Sequence, residues 1–184
     1  MPIRVKGMRQ ASLGWLRFSK PIRLVSHVMQ DILIKILAGG LLTALAYATW
    51  TDIHSRIIPN SLNAAIVLAA PLWWWATGLE LWPGVAFQIG IAVLALLVFM
   101  GAFAIGAMGG GDVKLITALG LWLLPLDMVR MLVWMSLAGG ALTIGMLIAH
   151  RARKSEGKPE IPYGVAIAMA TAPILAERYI YHFG

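Results

Sequence analysis

Along the chain, apolar stretches alternate with short breaks that are polar or rich in Gly and Pro. A helix crosses the roughly 30 Å hydrocarbon layer of a bilayer with about 20 apolar residues, so stretches of this kind read as membrane spans. Six are expected, at about 32–50, 62–79, 84–107, 113–124, 128–149 and 163–180. The first carries Lys35 near its end, where the ammonium can snorkel to the interface. The third holds no charged residue. The fourth is short, and Pro125 is expected to stop it. Between them, 51–61 (TDIHSRIIPNS) is a polar connection, with Asn60 or Ser61 the expected cap of the second helix. Residues 78–83 read as a tight Gly/Pro turn, 106–112 (GAMGGGD) as a glycine run unsuited to a regular helix, and 150–162 as a long basic loop. The pattern predicts an all-α, polytopic membrane protein, with a basic tail over 1–30 and one six-helix membrane domain over 31–184.

Composition agrees and removes several chemistries. With 60% hydrophobic and 12% charged residues, the chain is far more apolar than a soluble domain, which averages about 25% charged. It is also far too hydrophobic to be disordered. The absence of cysteine excludes disulfides, thiolate zinc sites, iron–sulfur clusters and cysteine nucleophiles. His27, His54, His150 and His182 are scattered singly, and no Walker or dinucleotide glycine pattern occurs. No metal and no cofactor is expected.

Eight acidic residues remain to be placed: Asp31, Asp52, Glu80, Asp112, Asp127, Glu156, Glu160 and Glu177. Asp52 directly follows the first span and Asp112 lies between the third and fourth. Connections after spans one, three and five emerge on one face of a membrane, so Asp52, Asp112 and the basic 150–162 loop are expected to be co-facial. A single Asp beside a span commonly does no more than mark the interface. Yet a charge within the membrane costs about 2.5–3.5 kcal/mol even on lenient scales, which makes such a residue a functional candidate. Gly109-Gly110-Gly111 before Asp112 would let another segment approach closely, and the N-terminus of the fourth helix would favour its anion. Two carboxylates held together share one proton, providing a base for an attacking water and an acid for the carbonyl oxygen. No serine stands in a nucleophile-elbow context. The same pair could instead be the ion or proton site of a small transporter or channel.

These residues carry a family resemblance. Gly109-Gly110-Gly111-Asp112-Val113-Lys114 resembles the GxGD signature of membrane aspartic peptidases, in the longer form found in type IV prepilin peptidases. Asp52-Ile53-His54-Ser55-Arg56-Ile57-Ile58-Pro59-Asn60 resembles that family's first-aspartate motif, and Ile161-Pro162-Tyr163-Gly164 its Pro-aromatic-Gly turn. The resemblance spans about 30–180. It implies removal of the short basic leader from prepilins or pseudopilins at the cytoplasmic face of the bacterial inner membrane, with Asp52 and Asp112 as the catalytic pair. It further implies that Gly109 and Gly111 present Asp112, and that Pro162, Tyr163 and Gly164 help to shape the site. Lys114 has two readings, a partner of the Asp112 anion or an interface lysine. Full-length relatives carry a cytoplasmic domain between the first two helices, often with zinc-binding cysteines and linked to N-methylation. Here that connection is short and cysteine-free. The chain thus resembles the short form serving Flp-type tight-adherence pili, with peptidase activity and no methyltransferase activity.

The net charge of +7 bears on sidedness. Arg56, Lys114, Arg151, Arg153, Lys154 and Lys158 lie on the expected aspartate side, against Arg130 and Arg178 on the other, which places the aspartates in the cytoplasm. The tail, with Arg4, Lys6, Arg9, Arg17, Lys20 and Arg23, votes the opposite way. Because a span follows directly, its expected partner is anionic lipid and not nucleic acid. The conflict points to a translation start at Met29, which the intact mass of the native product tests.

Overall fold

The apolar stretches fold into six α-helices in a computed structural model that describes residues 19–152 and 162–181. The helices are α1 (Ser19–Ser55), α2 (Asn60–Ala76), α3 (Ala86–Ala104), α4 (Gly110–Gly120), α5 (Pro125–Ala152) and α6 (Tyr163–Tyr181), with no strand among the described residues. Residues 1–18 of the basic tail and 153–161 of the basic loop, with Glu156, Glu160 and Ile161, lie outside the described residues. Val28–Ser55, Leu81–Ala104 and Pro125–Ile148 are long and apolar enough to cross a membrane by length and composition. The protein is an all-helical membrane protein.

The central helix is α4, packed on α3, α2 and α6, while α1 lies against α2 and α6, and α5 lies on α6. Leu115, Ile116 and Leu119 of α4 are fully buried, together with Leu45 of α1, Met131 of α5 and Ile167 of α6. On α3, by contrast, Phe87, Leu94, Leu97 and Val98 are exposed, and the face that turns inward holds Gln88 with the small residues Ala92 and Ala95. Gly120 of α4 meets that face, where a Cβ would stand 3.0 Å from the Ala92 Cα. An apolar outer face suits contact with lipid, so α3 can be charge-free along its length.

The fourth stretch departs from its expected form. At 11 residues, α4 is about 16 Å long, too short to cross a bilayer alone. It ends at Gly120, ahead of Pro125, so the proline does not stop it; Pro125 is instead the first residue of α5, where its missing N–H costs nothing. The carbonyls after Gly120 would be orphaned in an apolar interior. Side chains from α2 and α3 satisfy them: Trp74 Nε1 donates to Leu121 O (2.7 Å), Trp73 Nε1 to Trp122 O (3.2 Å) and Gln88 Nε2 to Leu123 O (2.8 Å). Trp122 Nε1 returns a bond to Ile66 O of α2 (2.9 Å). A sequence segment that reads as a short span is thus a buried half-length helix capped by neighbouring side chains.

The Gly/Pro turn leaves α2 through Gly78, at φ +67°, and continues into the kinked Leu81–Val85 segment, where Trp82 is extended. Trp73, Trp74, Gln88 and Trp122, with Gln30 and Asp31 of α1, line a cavity of about 350 Å³ at this end of α4, away from Asp112.

Candidate active site

The site begins with the end of α1. Asp52 lies within the helix and not in a loop after it, because α1 persists to Ser55. The polar residues that suggested a loop are bonded back along the helix: Thr51 Oγ1 to Ala48 O, Ser55 Oγ to Thr51 O, and His54 Nδ1 with Trp50 O. Asp52 is only 6% exposed. Arg56, at φ +57°, reverses the chain, and Pro59 leads into α2. The connection between α1 and α2 is therefore just Arg56–Pro59. Neither expected cap caps α2: Pro59 holds the N-cap position without a side-chain bond, and Asn60 is already helical.

The glycine run also divides differently from its sequence reading. Gly106, at φ +72°, turns the chain after α3, and Gly109 is the N-cap of α4. Gly110, Gly111 and Asp112 already belong to the first turn of α4. A side chain at Gly111 would stand 3.0 Å from the Ile58 Cβ and 3.4 Å from the Ile58 backbone N and O. Glycine at that position lets the α1–α2 connection pass directly over the turn that carries Asp112. A Cβ at Gly109 would stand 2.9 Å from Asp112 Oδ2. The Asn63 Nδ2 of α2 donates to Gly111 O (3.3 Å).

The third contribution comes from the start of α6. Pro162 and Gly164 are buried and Tyr163 is half-buried. The Gly164 N–H, one of the first-turn donors that a helix leaves unsatisfied, donates to Asp52 Oδ2 at 2.8 Å. A Cβ at Gly164 would stand 2.8 Å from that oxygen. The Tyr163 ring lies beside Gly139 of α5, where a Cβ would come 3.4 Å from its Cε1. Lys114 is exposed, and its Nζ donates to Asn60 Oδ1 (2.7 Å), joining α4 to α2.

Asp52, Asp112 and Gly164, far apart in sequence, thus converge at one end of the bundle. Asp112 is 7% exposed, in the first turn of α4 ahead of its apolar stretch. Burial, and after it the negative charge of Asp52, push its carboxyl from 3.8 up to about 7, against the opposing pull of the Gly109 backbone N–H. A carboxyl in that range holds a proton near neutral pH beside a second carboxylate, which is the condition for paired acid–base chemistry. Among the described residues, no three His, Cys, Asp or Glu side chains gather where a metal could sit.

Asn63 is a polar side chain at this site that the sequence reading passed over. Its signal was available, an amide inside an apolar stretch, where a polar side chain needs a reason.

Residues 39–144 match the type IV leader peptidase family, over more than half of the chain. The chain belongs to this family. Membership makes the protein a leader peptidase, a protease whose substrates are prepilins, and its apolar helices place it in a membrane. The match takes in Asp52, Asp112 and Lys114, while Pro162, Tyr163 and Gly164 lie beyond it. No curated protein and no solved structure matches the chain.

Proposed function

We propose that this leader peptidase hydrolyses the leader junction of Flp-type prepilins or pseudopilins with Asp52 and Asp112 as its acid–base pair, facing the cytoplasm from the bacterial inner membrane. The observation that carries the reading is the burial of both carboxylates at one end of the bundle, close enough that the Asp52 charge acts on Asp112. In this scheme Asp52, oriented by the Gly164 N–H, takes a proton from a water that adds to the scissile carbonyl, while Asp112 gives its proton to the carbonyl oxygen. Collapse of the tetrahedral diol breaks the C–N bond. The departing amine takes a proton from Asp52, and the oxygen's proton returns to Asp112. Gly109 and Gly111 act by allowing the close approaches that seat Asp112, and the Pro162-Tyr163-Gly164 turn by delivering its N–H to Asp52.

Two features support the finer assignment. The Arg56–Pro59 connection leaves no room for a cytoplasmic domain between α1 and α2, and the chain has no cysteine to build a zinc-binding one, which fits cleavage without N-methylation. Basic residues on the aspartate side support a cytoplasmic site. Co-expression with a Flp-type prepilin tests the proposal. Asp52→Asn and Asp112→Asn are each expected to abolish leader removal while the protein stays inserted in the membrane. Full processing by either variant overturns the pair mechanism.

A further inference from the structure

We infer that Asn63 is a positioning residue for this reaction, clamping the first turn of α4 through the Gly111 carbonyl so that Asp112 is held in register with Asp52. The inference rests on the proposed acid–base roles of the two aspartates. Asn63 lies on α2 within an apolar stretch and is 5% exposed. Its Nδ2 donates to the carbonyl of Gly111, the residue immediately before Asp112.

The bond is not one the backbone requires. Gly111 lies inside α4, where the i to i+4 ladder already offers its carbonyl a donor. Gln88 makes an instructive contrast, because it caps a carbonyl beyond the end of α4 that has no helical partner. The Asn63 bond is additional, and what it adds is location. Gly111 has no side chain through which packing could fix it, and two more glycines precede it. Ile58 presses on this turn and the Asn63 amide holds it, so the turn is gripped from the α1–α2 connection and from α2.

The other end of the amide makes a structural role a poor explanation. Asn63 Oδ1 is buried and has no hydrogen-bond partner among the described residues. A half-satisfied buried amide is destabilising compared with an apolar side chain of the same size, so a leucine would serve the fold better. Asp112 Oδ1, on the residue next to Gly111, is buried and unpartnered as well. Unsatisfied polar atoms concentrate where chemistry needs them, and here they flank one peptide unit at the candidate active site.

The test uses the full-length protein in lipid vesicles with a Flp-type prepilin as substrate. Asn63→Leu is expected to insert, to melt at or above the wild-type temperature, and to lower kcat by about tenfold or more with KM within about twofold, since small misplacements of reacting groups are expensive in rate. A wild-type kcat in Asn63→Leu, or a kcat loss matched by a drop in melting temperature, overturns the inference. Should the leucine variant fail to insert, Asn63→Ala assayed well below its melting temperature carries the same comparison, with a kcat loss at unchanged KM expected and an unchanged kcat overturning it. Wild-type and Asp112→Asn controls keep the two claims apart. If wild type does not cleave, the Flp-type substrate assignment fails; if Asp112→Asn cleaves, the aspartate mechanism fails; if both behave as expected, the Asn63 result stands alone.

Discussion

Asp52 and Gly164, 112 positions apart, are joined by a 2.8 Å hydrogen bond from the Gly164 N–H to Asp52 Oδ2. The bond ties the last turn of α1 to the first turn of α6. It also uses a donor that α6 cannot satisfy internally, at the helix end whose partial positive charge favours an anion. Asp52 is thereby oriented by backbone, which moves less than a side-chain partner would.

Gly164→Ala tests that orientation. The added Cβ would lie 2.8 Å from Asp52 Oδ2 and 3.1 Å from both its Cγ and Cβ, so rotating the carboxylate alone does not relieve the contact. Either Asp52 or the start of α6 must shift. Leader removal is expected to fall by about tenfold or more with the protein still inserted, because reacting groups tolerate little displacement. A prepilin cleavage time course checks this, and a wild-type rate would show that the Gly164 bond does not orient a working carboxylate.

The pH dependence follows from Asp112. Its folded pKa, about 7, stands above the ordinary 3.8, so the folded state holds the proton more tightly than the unfolded chain. The contribution of this group to stability is therefore fully present below 3.8 and lost as pH rises through about 7. Over the same upper interval the acid form disappears, so kcat/KM is expected to fall as pH rises through about 7. A pH–rate profile and thermal melts over the same buffers check both. In Asp112→Asn the fall in melting temperature across that interval should flatten.

Lys114 is expected to matter less than its place beside Asp112 suggests. Its ammonium is engaged by Asn60 Oδ1 at 2.7 Å in an exposed position. Exposed polar links are worth little, so Lys114→Met is expected to keep leader removal within about threefold of wild type. A loss as deep as that of Asp112→Asn would assign the lysine a direct part in the chemistry.

The helices and the placement of Asp52 and Asp112 on one side were legible in the sequence because both follow from strong constraints. Apolar length sets a helix in lipid, and alternation of sides makes the two aspartates co-facial. What escaped depends on neighbours. Asp52 read as a loop residue since Thr51, Asp52, His54 and Ser55 are polar, yet Thr51, His54 and Ser55 bond to carbonyls three or four residues earlier and α1 continues. Asn60 read as a helix cap, yet it serves as the acceptor for Lys114, fifty-four positions along the chain. Val113–Leu124 read as a span because hydropathy does not distinguish a helix facing lipid from one enclosed by other helices. Likewise, nothing local in Trp73, Trp74 or Gln88 shows that their donors reach the carbonyls after Gly120.

That last arrangement carries a prediction of its own. Gln88 is 3% exposed, and its Nε2 donates to Leu123 O at 2.8 Å. Gln88→Met keeps the length and flexibility of the side chain but removes the donor, leaving a carbonyl unsatisfied among apolar groups. The expected cost is about 1–3 kcal/mol, the usual penalty for orphaning a buried acceptor. The site at the other end of α4 does not touch Gln88, so leader removal below the melting temperature should proceed at close to the wild-type rate. Thermal unfolding in lipid, measured beside the cleavage assay, separates the two effects. A lowered melting temperature with intact activity supports a half-length helix held at its inner end by side-chain donors. If the melting temperature does not move, the Leu123 carbonyl has another partner, and the capping account of why α4 stops at Gly120 fails.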